Sequence, residues 1–423
     1  MKNRRNLKIA GVIGFILVVL ITVFIVSRAY EFIFPIQKQD DSLEQVQEDP
    51  LTEEDFLHTE GAAIVNQNGE RLILTGINLG GWLIQEYWMC PVQGDRDTLQ
   101  WTNLQTLDTL EERFGREKTQ ELLEAYQDNW ITEWDIQKIA SFGANCIRVP
   151  FWYRNFMWDD EGTWMTEDLD DNPGIRRLDW VIETAKKYGM YVILDMHGCP
   201  GGQSWDHTTG AAGGGALYTD EKYQQVMEEL WTAIADRYKD EPAVAAYDIM
   251  NEPQVRETPS SIAEDPRNQV YDRMIKAIRE VDSRHMIAVE AMWSLDVLPT
   301  PQQAGWTNVI YELHSYGDDV DGYCYTASQY SNTNSVPVYI GEFSDMDMWE
   351  TCFHYGISCT SWTYKGSKML EDTWFVYYDD RSLDADVLND PYWLLKLKWG
   401  KRISTIYYEE DFRIVDAVIE AGG

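Results

Sequence analysis

Two glutamates stand at the ends of apolar runs in this chain. Glu252 falls at the end of Ala-Val-Ala-Ala-Tyr-Asp-Ile-Met-Asn-Glu-Pro (Ala243 to Pro253), and Glu342 near the end of Val-Pro-Val-Tyr-Ile-Gly-Glu-Phe (Val336 to Phe343). A carboxylate placed directly after a buried strand is costly unless it has a partner or a task. Two carboxylates that meet over one sugar suffice to break a glycosidic bond. One attacks the anomeric carbon, and the other protonates the departing oxygen. The acid member must keep its proton near working pH, which its surroundings have to arrange.

Other polar residues end or follow apolar segments in the same way: Arg148, His197, Asn251, Glu290 and His314 with Tyr316, while Trp362 lies within the last such segment. Arg148 is suited to hold a nucleophilic carboxylate ionised. Asn251, next to Glu252, is suited to grip a sugar 2-hydroxyl, and Trp362 to floor the subsite of the reacting sugar. His197 and His314 lie far apart, with no HxH or HExxH spacing. They read as sugar-contacting or supporting groups, so no catalytic metal is expected and no cofactor. His207 is expected in solvent.

Eight strand-like segments must position these residues: Arg71–Asn78, Gly143–Pro150, Met190–Met196, Ala243–Met250, His285–Glu290, Thr307–Leu313, Val336–Glu342 and Ile357–Tyr364. Helical patterns lie between them, such as Gly174–Tyr188, Asp220–Tyr238, Asn268–Val281 and Glu133–Ser141, the last opened by Thr132 as N-cap. Thr98–Gln127 reads as extra helical material between the first two strands. Apolar strands alternating with amphipathic helices imply a parallel sheet covered on both faces. Eight such units imply a (β/α)8 TIM barrel, whose strand C-termini converge on one site. The rival is an open doubly wound sheet with a Gly-rich phosphate turn, and Gly80-Gly81 alone does not match that turn. Strands four and seven face each other across a barrel mouth. The expected carboxyl separation is therefore about 5 Å, the spacing of an enzyme that retains anomeric configuration.

The net charge is −36, from 35 basic and 71 acidic residues. That excludes a nucleic-acid partner and tight docking on anionic lipid. Eighteen tryptophans suit sugar stacking, although core packing is the commoner fate of any one of them. Lys2, Arg4, Arg5 and Lys8 precede an unbroken apolar run, Ile9 to Val26. This pattern predicts a cytoplasmic basic flank (1–8), a transmembrane signal anchor (9–27), an acidic extracellular stalk (28–58) and a catalytic domain (59–423) outside the cell membrane. A cleaved signal peptide, and hence secretion, is the alternative. The six cysteines show no CxxC spacing, which leaves either disulfides or buried free thiols.

The tripeptide Asn251-Glu252-Pro253, the run Ile340-Gly341-Glu342-Phe343, and Arg148, His197, His314, Tyr316 and Trp362 in order resemble family 5 of the glycoside hydrolases. Gly76-Ile-Asn-Leu-Gly-Gly-Trp-Leu83, the segment Trp130 to Ala140 and His197-Gly-Cys-Pro-Gly-Gly-Gln203 are similar to its exo-β-1,3-glucanase branch. The resemblance implies Glu252 as acid/base, Glu342 as nucleophile and Glu86 as a ligand of the terminal sugar, with a β-linked glucan as substrate. Tyr87 departs from the Pro usual after that acidic residue. The Gly213–Gly215 loop and the segment after Trp362 are also individual. An endo-β-1,4-glucanase or a β-glucosidase would keep the same fold and glutamates. A non-catalytic carbohydrate-binding surface protein would not need both carboxylates.

Overall fold

Eight short parallel strands close on one another: β1 (Thr75–Asn78), β2 (Cys146–Trp152), β3 (Tyr191–Gly198), β4 (Val244–Asp248), β5 (Met286–Glu290), β6 (Val309–Ser315), β7 (Val338–Phe343) and β8 (Ser358–Ser361). Each pairs with its successor, and β8 returns to β1 through Cys359–Thr75 and Ser361–Ile77. This is the expected (β/α)8 barrel. The computed structural model describes residues 21, 46–95, 100–367, 376–378, 384–407 and 409–410.

The strands fall where the apolar runs predict, with one division. The run Arg71–Asn78 splits, and only Thr75–Asn78 joins the barrel. Arg71–Leu72 belongs to a three-stranded antiparallel sheet with His58–Glu60 and Ala63–Val65. The turn of that sheet is fixed by Asn66, whose side-chain oxygen accepts the N–H groups of Asn68 and Glu70 at 3.0 Å each.

The helices start where capping chemistry places them. α1 (Asn103–Phe114) and α2 (Arg116–Trp130) are the inserted helical material between β1 and β2. α3 is Glu133–Ser141. At its N-cap, Thr132 donates its backbone N–H and its hydroxyl to the Asp135 carboxylate at 2.7 Å. α4 (Pro173–Lys187) combines Pro at its first position with Asn172, which accepts the N–H of Gly174 at 3.0 Å. α5 (Glu221–Tyr238), α6 (Pro266–Val281), α7 (Val320–Asn334) and α8 (Asp347–Tyr355) follow. Between β5 and β6 the helix is reduced to the single turn Pro301–Ala304.

Ile175, Leu178 and Val181 of α4 and Leu230, Trp231 and Ile234 of α5 are all fully buried in the core between helices and strands. Each such side chain contributes about 1.5–3 kcal/mol by leaving water. A second core, including Leu57, Ile64, Leu74, Tyr191 and Tyr339, plugs the barrel at the strand N-termini. The opposite end is left to the site.

Glu48 pairs with Lys187 at 3.2 Å, Leu51 N–H donates to Lys186 O at 3.2 Å, and Phe56 and Leu57 are buried. The last residues of the expected stalk thus lie against the domain. The expected anchor (9–27), Ile21 apart, lies outside the described residues. No helix among the described residues is long and apolar enough to cross a membrane. All six cysteines are buried and free of disulfides.

Candidate active site

Arg148 projects from β2 into the barrel and is completely buried. Its Nη1 lies 2.9 Å from Glu342 Oε1 and 3.1 Å from Asn78 Oδ1. Nη2 lies 2.7 Å from Asp248 Oδ2, 2.9 Å from Asn251 Oδ1 and 3.2 Å from Asp195 Oδ2. Nε reaches Asp248 Oδ2 at 2.9 Å, with Glu312 Oε1 at 3.5 Å. A guanidinium can stay ionised in a barrel interior only with such a shell, because the Coulombic and hydrogen-bond terms must offset its desolvation.

Glu342 stands at the mouth end of β7. Its other oxygen accepts the Tyr316 hydroxyl at 2.7 Å and lies 3.5 Å from His314 Nδ1. Burial alone would raise the Glu342 pKa. His314, Arg148, His197 and the Tyr316 hydroxyl overcome that effect and hold the carboxyl below its ordinary range. Glu342 is therefore an ionised carboxylate at neutral pH.

Glu252 follows β4 with φ of 43°, in the left-handed region a non-glycine residue rarely occupies. Its N–H is fixed by Glu290 Oε2. Its Oε1 lies 2.9 Å from His314 Nδ1. One oxygen of Glu252, one of Glu342 and a ring nitrogen of His314 all lie within 4.8 Å of one another. Carboxyls this close belong to the short spacing of retaining glycosidases rather than the long spacing of inverting ones.

Both glutamates open on a pocket of about 580 Å³, walled by Glu86, Trp88, His197, Thr208 and Trp362. The His197 ring stacks on Trp362 with centroids 5.2 Å apart and planes inclined 13°. His197 Nδ1 lies 2.8 Å from Asp195. Glu86 accepts the Trp88 indole N–H at 2.6 Å. Burial pushes Glu86 up to about 7, against the opposing pull of His197 and Trp88.

Glu86, His197, Asn251, Glu252, Tyr316, Glu342 and Trp362, singled out in the sequence, all line this pocket. Arg148 and His314 lie beneath it, fully buried. His207 departs from expectation. It is half-buried, pairs with Asp206 at 2.8 Å and packs on Tyr87, because its loop folds back beside the pocket. Trp88 and Thr208 escaped the sequence reading, as did the buried acids Asp195, Asp248 and Glu312. The acids had a signal, since each is a carboxylate inside an otherwise apolar strand.

Among the described residues, two sets of donors are close enough to share an ion: Glu252, His314 and Glu342, and Glu290, Glu312 and His314. Both draw on the same imidazole, and its Nδ1 already contacts Glu252.

Residues 97–377 match the family model for cellulase (glycosyl hydrolase family 5). The chain is 30% identical over 264 residues to a "Beta-xylosidase" of Phanerodontia chrysosporium, covering 62% of this chain and 52% of that protein. It is 27% identical over 306 residues to a "Probable glucan 1,3-beta-glucosidase A" of Aspergillus fumigatus, covering 67% of each. It therefore spans about half the length of the first relative and two thirds of the second. The fold is like that of a rutinosidase from Aspergillus niger, with a TM-score of 0.55 at 18% identity over 70% of this chain and 90% of that one. The matched family segment covers well over half of the chain and carries both glutamates together with Arg148, His197, Asn251, His314, Tyr316 and Trp362, so the chain belongs to glycosyl hydrolase family 5.

Proposed function

We propose that this chain is a retaining β-glycosidase that removes sugar from the end of an extracellular β-glucan, with Glu252 as acid/base and Glu342 as nucleophile. The observation that carries this reading is the approach of the two carboxyls to within 4.8 Å in one pocket. In the first step the Glu342 carboxylate attacks the anomeric carbon. The bond to the leaving oxygen breaks, and Glu252 gives that oxygen its proton. In the second step water passes a proton to Glu252, bonds to the anomeric carbon and frees Glu342. Arg148, His314 and Tyr316 keep the nucleophile charged. Asn251, held by Arg148 and lying beside His197, is placed for the sugar 2-hydroxyl.

The exo preference is supported by the pocket walls, and the β-1,3 linkage by the names of similar proteins. Glu86 and Trp88 wall the pocket that both glutamates line. A second hollow of about 850 Å³ begins at Pro253, the residue after Glu252, and carries Trp205 and Trp293. In this reading the terminal sugar occupies the walled pocket, and the remainder of the glucan leaves across the tryptophans. The naming of similar proteins as glucan 1,3-beta-glucosidases agrees with this. An endo-β-1,4-glucanase would need an open groove where Glu86 and Trp88 stand. The basic flank (1–8), apolar segment (9–27) and acidic segment (28–58) support display of the domain (59–423) on the outer face of the cell membrane.

The test uses residues 46–423 with β-1,3-, β-1,4- and β-1,6-linked glucans, following products and their anomeric form. Release of β-glucose from the β-1,3-glucan is expected, with E252Q and E342Q each slower by at least about 10³-fold. Variants as active as wild type would refute the assignment.

A further inference from the structure

Behind the acid/base lies a group of carboxyls that the steps above do not use. Glu290 (β5) and Glu312 (β6) are buried inside the barrel and line none of the open pocket. Glu290 Oε1 lies 3.6 Å and Glu312 Oε1 3.5 Å from His314 Nε2, slightly beyond ordinary hydrogen-bond length. Glu290 Oε1, both oxygens of Glu312 and His314 Nε2 have no hydrogen-bond partner. Buried polar atoms without partners cost about 1–3 kcal/mol each, more if charged. Three of them, Glu290 Oε1, Glu312 Oε1 and His314 Nε2, meet at one point, which is hard to explain as packing. The other ring nitrogen, Nδ1, contacts Glu252 at 2.9 Å. His314 therefore bridges the acid/base and a hidden pair of carboxyls.

We propose that Glu290 and Glu312 are positioning residues that, acting through His314, determine whether Glu252 holds the proton it must give to the leaving group. This rests on the acid/base role assigned to Glu252 above. Against the effect of burial, Glu290, Glu342, Glu252 and Glu312 hold His314 well above the usual histidine range, and the imidazolium carries two protons between ionised carboxyls. Two further arrangements carry the same two protons. In the first, Glu252 is protonated and donates to Nδ1, while Nε2–H faces the carboxyl pair. In the second, Nδ1–H donates to ionised Glu252, and the pair holds the other proton and donates to Nε2. Passage between them moves one proton across each ring nitrogen, and the total charge is unchanged.

The groups facing this relay are few. Glu252, Glu342 and Tyr316 meet the imidazole from the pocket side. Arg148 and Asp248 flank Glu312, with Tyr339 from β7. Tyr271 of α6 donates to Glu290 O at 2.9 Å, and Tyr323 of α7 to His314 O at 2.7 Å. Burial, with help from Glu312, Glu252 and Asp248 and against His314, drives Glu290 well above the usual carboxyl range. A carboxyl so placed can hold a proton at neutral pH.

The experiment compares wild type, E290Q and E312Q on 4-methoxyphenyl β-glucoside, whose departure needs a proton, and on 2,4-dinitrophenyl β-glucoside, whose departure does not. kcat/KM is read because it covers binding and cleavage of the glycosidic bond and leaves out the later hydrolysis of the glycosyl-enzyme. Both variants, folded by thermal melt, are expected to lose at least about tenfold more on the methoxyphenyl than on the dinitrophenyl substrate. The basic limb of the methoxyphenyl pH profile is expected to move by more than about half a unit. Equal losses on both substrates would mark a general structural role and overturn it, as would unchanged rates and profiles. If wild type cleaves neither glucoside while E252Q behaves identically, the function proposed above falls, and this inference with it.

Discussion

Arg148 and Glu342 are 194 residues apart, yet Nη1 and Oε1 meet at 2.9 Å and tie β2 to β7 across the barrel. The same guanidinium contacts Asp248 and Asp195, so the nucleophile is one arm of a buried charge network. Arg148→Lys keeps the charge but cannot fork to all these partners. We expect kcat/KM to fall by about 10²-fold or more. The acidic limb of the pH–rate profile should move to higher pH, because a cation that holds Glu342 below its ordinary range has retreated. Arg148→Ala leaves the carboxylates unopposed and should cost about 3–5 kcal/mol in a denaturant melt. An Ala variant as stable as wild type would mean that these carboxyls are neutral in the folded chain.

Glu86 gives a stability prediction with a definite sign. Its carboxyl is pushed from 4.5 to about 7, chiefly by burial. Between those values the folded chain keeps a proton that the unfolded chain has released. Stability therefore falls as pH rises through that window, and the loss is complete above about 7. A shift of this size corresponds to about 3 kcal/mol. Glu86→Gln, neutral at every pH, should thus melt higher than wild type at pH 8 and alike at pH 4. Calorimetry at the two values decides. Equal melting differences at both would show that Glu86 is ionised without penalty.

How much of this was legible beforehand follows from what each part depends on. The barrel was readable because its strands are continuous apolar runs. The pocket residues were readable because each ends such a run, and strand ends share one address in this architecture. Trp88 and Thr208 were not. They reach the pocket from loops, whose path is set by tertiary contacts such as the indole bond from Trp88 to Glu86. Arg71–Leu72 looked like barrel strand because periodicity cannot distinguish a partner in the barrel from one in a flanking hairpin. His207 looked solvated because its partner Asp206 and neighbour Tyr87 give no periodic signal. The charge network was half visible. Arg148 stood out as the cation for the nucleophile, but Asp195, Asp248 and Glu312, which meet the same guanidinium, did not, because an acid inside an apolar strand gives no sign of which cation it faces.

Gly341 tests that network from the backbone. A Cβ there would lie 1.7 Å from Glu312 Oε1, far inside contact distance. Glu312 has little freedom to yield, because Arg148 and His314 each lie 3.5 Å from the same oxygen. Gly341→Ala should therefore destabilise the fold by about 1–3 kcal/mol. It should also lower kcat more than it raises KM, because it displaces Glu342, the next residue. A variant with normal kcat and a lowered melting temperature would separate the glycine's packing role from the chemistry.

The two tryptophans of the second hollow address substrate length. Trp205 is 40% exposed and Trp293 50%, unusual for the largest apolar side chain, and Trp293 also packs edge-on against Tyr316 at 6.4 Å. Exposed indoles beside the acid/base lose water when a sugar face covers them, so they should bind the part of the glucan that leaves. Trp205→Ala and Trp293→Ala should each raise KM for a long β-1,3-glucan by about tenfold, corresponding to roughly 1.4 kcal/mol of lost stacking. An aryl β-glucoside, too short to cover the hollow, should be cleaved with nearly unchanged kcat/KM by Trp205→Ala. Trp293→Ala should show a modest loss there, because it also removes the packing that steadies Tyr316 on the nucleophile. Equal loss on short and long substrates for both variants would place the glucan elsewhere and leave the tryptophans as supports of the loop.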